Sequence, residues 1–431
     1  MVFLSFLNFV LLFLPLCIYT FVAWKRRDFK LFNPFFFPLV LFSFYYGIPS
    51  LANLFISKSI YNNAIYIQFL ATVSYLAGTG LYKLKKNKKR KRSHKKVFIA
   101  NSVVMKLFFV VGISMLILYG YWTGVTGGLL TGKDVEGVRR IAEIGKGFLK
   151  HPGIFFITFP ALWLFGASMV ENKKLCISNI SLLLFGIVTI FFTTAHKASA
   201  FWIILLAIGL YDKFKFSSPV KIFIAGIFIV FFIGSANILR RAETADSTTS
   251  IFNKSILSFS GVYNANYVPI VKRVDQKRFK LQWGKEYIQN ATLIIPRFLY
   301  PTKPINFDYF IKEELDLSFR GGGAPATPFG SLYINFSFYG VVIGMFLIGY
   351  IYFLLYERYR TENNLTKSLI FLFVLTYILN PSLFLANTLL LFLFLSFILI
   401  TDNIISHATR GVKMKLENTC LKRSEGESSF S

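Results

Sequence analysis

Val2–Trp24, Phe32–Ile56, Val341–Tyr356 and Ser368–Thr401 hold no charged residue at all. A helix crosses the hydrocarbon core of a bilayer with about 20 such residues, and in lipid every backbone polar group must be satisfied within its own segment. One run of this kind is compatible with a buried core helix. So many in one chain point to a polytopic membrane protein. Composition agrees: 16% of the 431 residues are charged, where a soluble domain carries about a quarter.

Hydropathy predicts an all-α chain of about eleven spans, within a range of about 10–12. They are expected at 2–24, 32–56, 61–82, 103–122, 152–170, 175–192, 198–211, 219–238, 328–356, 368–381 and 385–401. The last two also read as one bent segment, broken at Asn380-Pro381. Basic residues give the orientation. Lys25-Arg26-Arg27, the run Lys83–Lys96, Lys173-Lys174, Lys213, Lys215, Arg358, Arg360, Lys367 and the tail after His407 all fall on one side if eleven spans alternate. The short loops and tail on that side hold 26 Lys and Arg against 7 in the short loops opposite. The positive-inside rule assigns the basic side to the cytoplasm, with the N-terminus outside and the C-terminus inside. Met1–Trp24 has no basic start and its flanking charges follow it, so it reads as a retained span rather than a cleaved leader.

The net charge of +28 is then mainly topology. The 83–96 run reads as a solvated anchor or a contact for anionic lipid head groups, and no aromatic residues interleave with it as they do in nucleic-acid binders. Cys17, Cys176 and Cys420 fall on or near the cytoplasmic side and imply no disulfide.

The expected organisation is a bundle over 1–238 with an outer loop at 123–150, a large outer segment at 239–327, further spans over 328–401 and a cytoplasmic tail at 402–431. Loops as long as 239–327 are functional or disordered, and its Phe, Tyr, Trp and Ile content argues for order. Lys285–Leu299 reads as an amphipathic helix at the membrane interface. The outer segments are rich in cations close to the membrane surface: Arg139, Arg140, Lys197, Arg240, Arg241, Arg297, Lys303 and Arg320. Arginine forks and lysine point charges suit phosphate oxygens, whether of phospholipid head groups or of a pyrophosphate-bearing lipid. "PRFLYPTKP" stiffens the chain around Arg297 and Lys303 with three prolines. Gly321-Gly322-Gly323 frees the backbone for close approach to an anion.

In this order of features the chain resembles bacterial oligosaccharide repeat-unit polymerases, the Wzy-type O-antigen and capsule polymerases. The likeness covers nearly the whole chain as architecture. At residue level it lies in "EGVRRI" (136–141), in "TTAHKASAF" (193–201), and in "PRFLYPTKP" followed by "GGGAPATPFGSLYINFSFYG" (321–340). In the second stretch His196-Lys197 stands where relatives carry a Gly-Ser-Arg-like turn.

The resemblance implies a GT-C-like helical bundle in the bacterial plasma membrane and a metal-independent glycosyl transfer with no cofactor. Its substrates would be undecaprenyl-pyrophosphate-linked oligosaccharides, its surroundings membrane lipid, and its pathway partners a flippase and a chain-length regulator. The residues offer Glu136, Glu143, His151, His196, Asp246, Asp308, Glu313, Glu314 and Asp316 as outer candidates for the general base, with His196 and Glu136 first. The listed cations with Gly321, Gly322 and Gly323 are the candidate pyrophosphate and glycan contacts. An O-antigen ligase, a flippase for lipid-linked sugars, an ion-coupled carrier and a membrane scaffold are the alternative functions.

Overall fold

The computed structural model describes residues 2–26, 28–55, 61–85, 102–126, 147–172, 176–194, 197–214, 263–292, 295, 298–304, 307–314 and 326–401. Their regular secondary structure is helical, with no strand among them. Seven of the helices are long and apolar enough to cross a membrane. The chain is an all-α polytopic membrane protein.

Helix α1 is Val2–Lys25. The expected second span is not one regular helix. Pro38 sits at the first turn of α2 (Phe37–Phe42), where its missing N–H is harmless, and a π-helical turn at Ser43–Gly47 joins α2 to α3 (Ile48–Phe55). There follow α4 (Asn62–Lys85), α5 (Ser102–Thr123), α6 (Gly147–Asn172), α7 (Ile177–Thr194) and α8 (Lys197–Phe214). The expected span at 219–238 lies outside the described residues. A π-turn at Tyr263–Tyr267 leads into α9 (Val268–Asp275), then α10 (Lys285–Ala291) and α11 (Phe307–Glu314). The long α12 (Pro328–Thr361) is followed by α13 (Leu365–Tyr377) and α14 (Pro381–Thr401).

The α13–α14 pair decides between two spans and one bent segment. Phe159 of α6 lies 5.8 Å from the ring of Phe373 and 5.2 Å from that of Phe394. Rings 21 residues apart in one continuing helix would stand about 30 Å apart. The chain therefore reverses at Asn380, and α14 runs back beside α13.

Helix α12 packs along α4 more extensively than any other helix pair. Glycines set the distance. A Cβ on Gly78 would stand 2.1 Å from the carbonyl oxygen of Phe346, and one on Gly349 would stand 2.3 Å from that of Tyr75. Small residues of this kind let backbones meet in a bilayer, where the lipid supplies no hydrophobic push between helices.

The two ends of the bundle are held by different contacts. At one end Arg360 Nη2 lies 3.7 Å from Asp28 Oδ2. There too Lys30 Nζ donates to the Asp212 carbonyl at 2.6 Å, and Lys213 Nζ donates to Ser368 Oγ at 2.6 Å and to the Tyr359 carbonyl. At the opposite end the segment from Tyr263 onward docks on the helix termini. The Tyr267 hydroxyl donates to the Ala64 carbonyl at 2.8 Å. The Asp275 carboxylate accepts from Tyr61 at 2.6 Å, from Asn63 at 2.8 Å and from Tyr333. Of the basic residues grouped by the sequence, Lys213 and Arg360 lie at the first of these ends, and the described part of the 239–327 segment builds the other.

Candidate functional site

Helix α12 is not continuous. Phe336 (φ −134°, ψ 15°) and Ser337 (φ 55°, ψ −152°) leave the helical region and divide it. The conformation at Ser337 belongs almost only to glycine and is strained for any other residue. A break in a helix frees carbonyls that need donors. The outer segment supplies them: Gln282 N–H donates to the Ile334 carbonyl at 3.0 Å and Trp283 N–H to that of Asn335 at 3.1 Å. Gly284 then takes φ +84°, which turns the chain into α10, and its N–H donates to Asn335 Oδ1 at 2.9 Å.

Helix α10 is shorter than the amphipathic helix expected over Lys285–Leu299, and its polar residues do not all face water. Glu286 and Asn290, four residues apart, are both fully buried against α12 and α14. Glu286 Oε2 accepts from Ser331 Oγ at 2.9 Å and from Asn335 Nδ2. Asn290 Nδ2 donates to the carbonyl of Ser382 at 3.0 Å and to its hydroxyl at 2.8 Å. Burial pushes the Glu286 carboxyl up from 4.5 to about 7, against the pull of Ser382, Ser331 and Asn335 and with the help of Asp308. Ser382 stands near enough to favour the charged carboxylate without reaching hydrogen-bonding geometry at Oε1. Burial likewise raises Asp308 on α11 to about 6.

The opposite face of α10 forms a cleft of about 530 Å³ lined by Trp283, Lys285, Ile288, Gln289, Thr292, Tyr300 and Pro304. Two of these residues belong to the proline corner that the sequence singled out. Gln289 contributes a buried Oε1 with no hydrogen-bond partner. Apolar side chains at the rim point outward: Ile288 is 66% exposed, Phe298 74% and Leu299 69%. Phe298 also meets Phe148 at the start of α6, ring centroids 6.4 Å apart. Aromatic rings with one cation, one amide and two hydroxyls form an apolar pocket with a few orienting polar groups.

Of the site residues expected from sequence, two fall on described backbone. Lys303 lies in the corner, half-buried, and its Nζ donates to the Ile295 carbonyl at 2.8 Å. The corner thus ties itself together with a cation that was expected to face phosphate. Lys197 opens α8, and its side chain lies outside the description. Glu136, Arg139, Arg140, His196, Arg240, Arg241, Arg297, Arg320, Gly321, Gly322 and Gly323 lie outside the described residues, as do Glu143, Asp246 and Asp316. His151 is half-buried in α6, and Glu313 and Glu314 are exposed on α11.

Sequence reasoning missed Glu286. The weight given to carboxylates beside basic pairs and membrane boundaries passed over it. A signal was present in two polar pairs at helical spacing, Glu286 with Asn290 and Ser331 with Asn335. No family model, no curated protein and no solved structure matches the chain.

Proposed function

We propose that this chain is a glycosyltransferase that polymerises oligosaccharide repeat units carried on undecaprenyl pyrophosphate, at the outer leaflet of a bacterial plasma membrane. In this reading eleven spans place the basic end in the cytoplasm. The observation that carries the proposal is the cleft at the opposite end, where Trp283, Tyr300, Lys285 and Gln289 gather beside side chains that face lipid. Aromatic faces suit the apolar faces of sugar rings, the Gln289 amide suits hydroxyls, and a lysine suits phosphate.

The chemistry asks little of the protein beyond charge and position. A hydroxyl oxygen of the incoming unit attacks C1 of the growing glycan. The bond from C1 to the pyrophosphate oxygen breaks, and undecaprenyl pyrophosphate leaves with the electron pair. Cations stabilise the charge that develops there; Arg139, Arg140, Lys197, Arg240, Arg241, Arg297 and Arg320 are the proposed set, with Lys303 shaping the corner that carries Arg297 and Gly321–Gly323 giving backbone access. The hydroxyl proton passes to a base, for which His196 and Glu136 are proposed.

The test is the glycan made without this chain. A strain lacking it should carry one repeat unit per anchor, and purified protein should elongate lipid-linked units. Arg297→Ala should lower elongation by about one to two orders of magnitude, since a charge-assisted hydrogen bond contributes about 1.5–3 kcal/mol. Lys254→Ala, outside the corner, should change it little. Normal chain length in the deletion strain refutes the reading.

One observation favours a second reading, a transporter of lipid-linked glycans. A broken helix with a buried carboxyl at the break is a feature of carriers, and α12 with Glu286 has both. The same strain separates the two readings, because loss of a transporter removes glycan from the outer surface altogether.

A further inference from the structure

Glu286 and Asn290 each leave one buried oxygen, Oε1 and Oδ1 respectively, without a hydrogen-bond partner. They lie on the same face of α10, one turn apart. The orientation of the Asn290 amide is fixed, because its Nδ2 donates to both the carbonyl and the hydroxyl of Ser382. Oδ1 is then an acceptor that needs a donor, and an ionised Glu286 only accepts. A buried acceptor left without a donor is costly.

Among the described residues no ion pair forms to Glu286. Helix α12 brings the hydroxyl of Ser331 and the amide of Asn335 to the cluster, and α14 brings Ser382. Helix α11 brings Asp308, whose negative charge disfavours a second one nearby, and the buried Lys312. On α10 itself Lys285 lines the cleft on the other face, and Tyr287 is the remaining titratable neighbour. Two free oxygens are too few for a dehydrated metal cation, which takes about six. They match one hydrogen.

We propose that Glu286 is a proton-binding site, that the bound proton bridges Glu286 Oε1 to Asn290 Oδ1, and that it holds α10 docked in the break of α12. The direction of the Glu286 shift agrees, since burial keeps the acid form up to about neutrality. Loss of the proton leaves a buried carboxylate charge and weakens the docking of α10. The cleft lies on the other face of α10 and loses its back wall with it. The inference goes beyond the proposed function and stands without it.

Infrared difference spectroscopy on the full chain in lipid nanodiscs, titrated from acid to alkaline pH, reads the proton directly. The expected result is a protonated-carboxyl C=O band that fades with a midpoint near 7 and is missing in Glu286→Gln. Glutamine donates an N–H to Asn290 Oδ1 at every pH, so in that variant hydrogen exchange of the α10 amides, corrected for intrinsic rate, should not depend on pH. In the native chain that exchange should speed up above neutrality. Asn290→Ala keeps the carboxyl but removes the bridge, so its midpoint should fall by about 0.3–1 pH unit; this variant decides the matter if Glu286→Gln does not fold. The proposal is overturned by a band with its midpoint near 7 that survives Glu286→Gln, by no band titrating there in the native chain, by an unmoved midpoint in Asn290→Ala, or by a midpoint that shifts when sodium replaces choline at constant ionic strength.

Discussion

At its C-terminal end α12 meets donors with acceptors. Lys213 Nζ donates to the Tyr359 carbonyl and to Ser368 Oγ, and the Tyr359 hydroxyl donates to the Gly209 carbonyl at 2.9 Å. Along its middle it is regular and fits its neighbour glycine to carbonyl. Its N-terminal part is different. The segment between Thr327 (φ 55°) and Ser337 (φ 55°) is bounded by strained residues and surrounded by acceptors that lack a donor. A helix held only for stability has no reason to keep such an end, because strain and unmade hydrogen bonds both cost stability and persist where function uses them. The comparison separates the scaffold from the working end within one element.

The scaffold part should break most completely. Gly78→Leu drives a side chain into the Phe346 backbone, where even a Cβ would stand at 2.1 Å. Neither backbone yields cheaply, so folded, monodisperse protein should be lost. Gly80→Leu is the control, because a Cβ there meets nothing within 4 Å. Size-exclusion profiles of the two variants test this, and equal behaviour would mean that α4 and α12 do not meet as described.

Next in size is Asn335→Leu. It removes the acceptor of the Gly284 N–H and a donor to Glu286 together. Each buried group left without its partner costs about 1–3 kcal/mol, so the loss should be about 2–4 kcal/mol, mostly at the outer end. Ser368→Ala at the basic end should cost about 1 kcal/mol, since Lys213 keeps the Tyr359 carbonyl. Thermal unfolding in nanodiscs gives both values. A reversed ranking would remove the contrast between the ends.

The spans were largely legible, and the working end was not, for one physical reason. A span is declared by its own residues: Ile177–Thr194 and Pro381–Thr401 are continuous segments without a charge that lipid alone makes helical. The break in α12 has no such signature. "NFSFYG" carries no proline, and its glycine, Gly340, follows the break. The break is imposed by N–H groups arriving from Gln282 and Trp283, about 50 residues earlier in the chain. Glu286 was hidden for the same reason, since its burial depends on Ser331, Asn335 and Ser382 from two other helices. The proline corner was legible because proline acts locally, and it does form a wall of the cleft.

Acidity offers a finer comparison. Glu286 is raised from 4.5 to about 7 and Asp308 from 3.8 to about 6. For an acid whose folded pKa lies above its unfolded one, the native state holds the proton longer. Stability is then full below the unfolded value and falls as pH rises through the folded one. Glu286 therefore contributes a fall from about pH 4.5 to about pH 7, at most about 1.4 kcal/mol per pH unit, and none above it. Glu286→Gln should flatten that window and melt at a higher temperature than the native chain at pH 7.5. A native chain whose stability rises through the window would reverse the sign and with it the view of the outer end as acceptor-rich.

The smallest expected difference lies between two lysines that share the cleft's neighbourhood. Lys285 is exposed and lines the cleft. Lys303 is half-buried, and its ammonium already donates to the Ile295 carbonyl at 2.8 Å, while its backbone N–H closes the turn on the Tyr300 carbonyl at 3.2 Å. If the cleft takes a phosphate-bearing lipid, Lys285→Ala removes a charge from the ligand itself and should weaken binding about tenfold, near the low end for a charge-assisted hydrogen bond. Lys303→Ala removes the hydrogen bond to the Ile295 carbonyl that shapes the corner. A partly exposed bond of this kind contributes about 0.5–1 kcal/mol, so the loss should be about two- to fivefold. Lys303→Met, which keeps the apolar stem along the corner, should restore part of it. The measurement is binding of a lipid-linked repeat unit to each variant in nanodiscs at fixed salt, repeated at high salt. Screening should erase most of the Lys285 effect and little of the Lys303 effect. Equal loss in both variants, with equal salt dependence, would place Lys303 Nζ on the ligand and return the corner to the phosphate-binding role that its sequence first suggested.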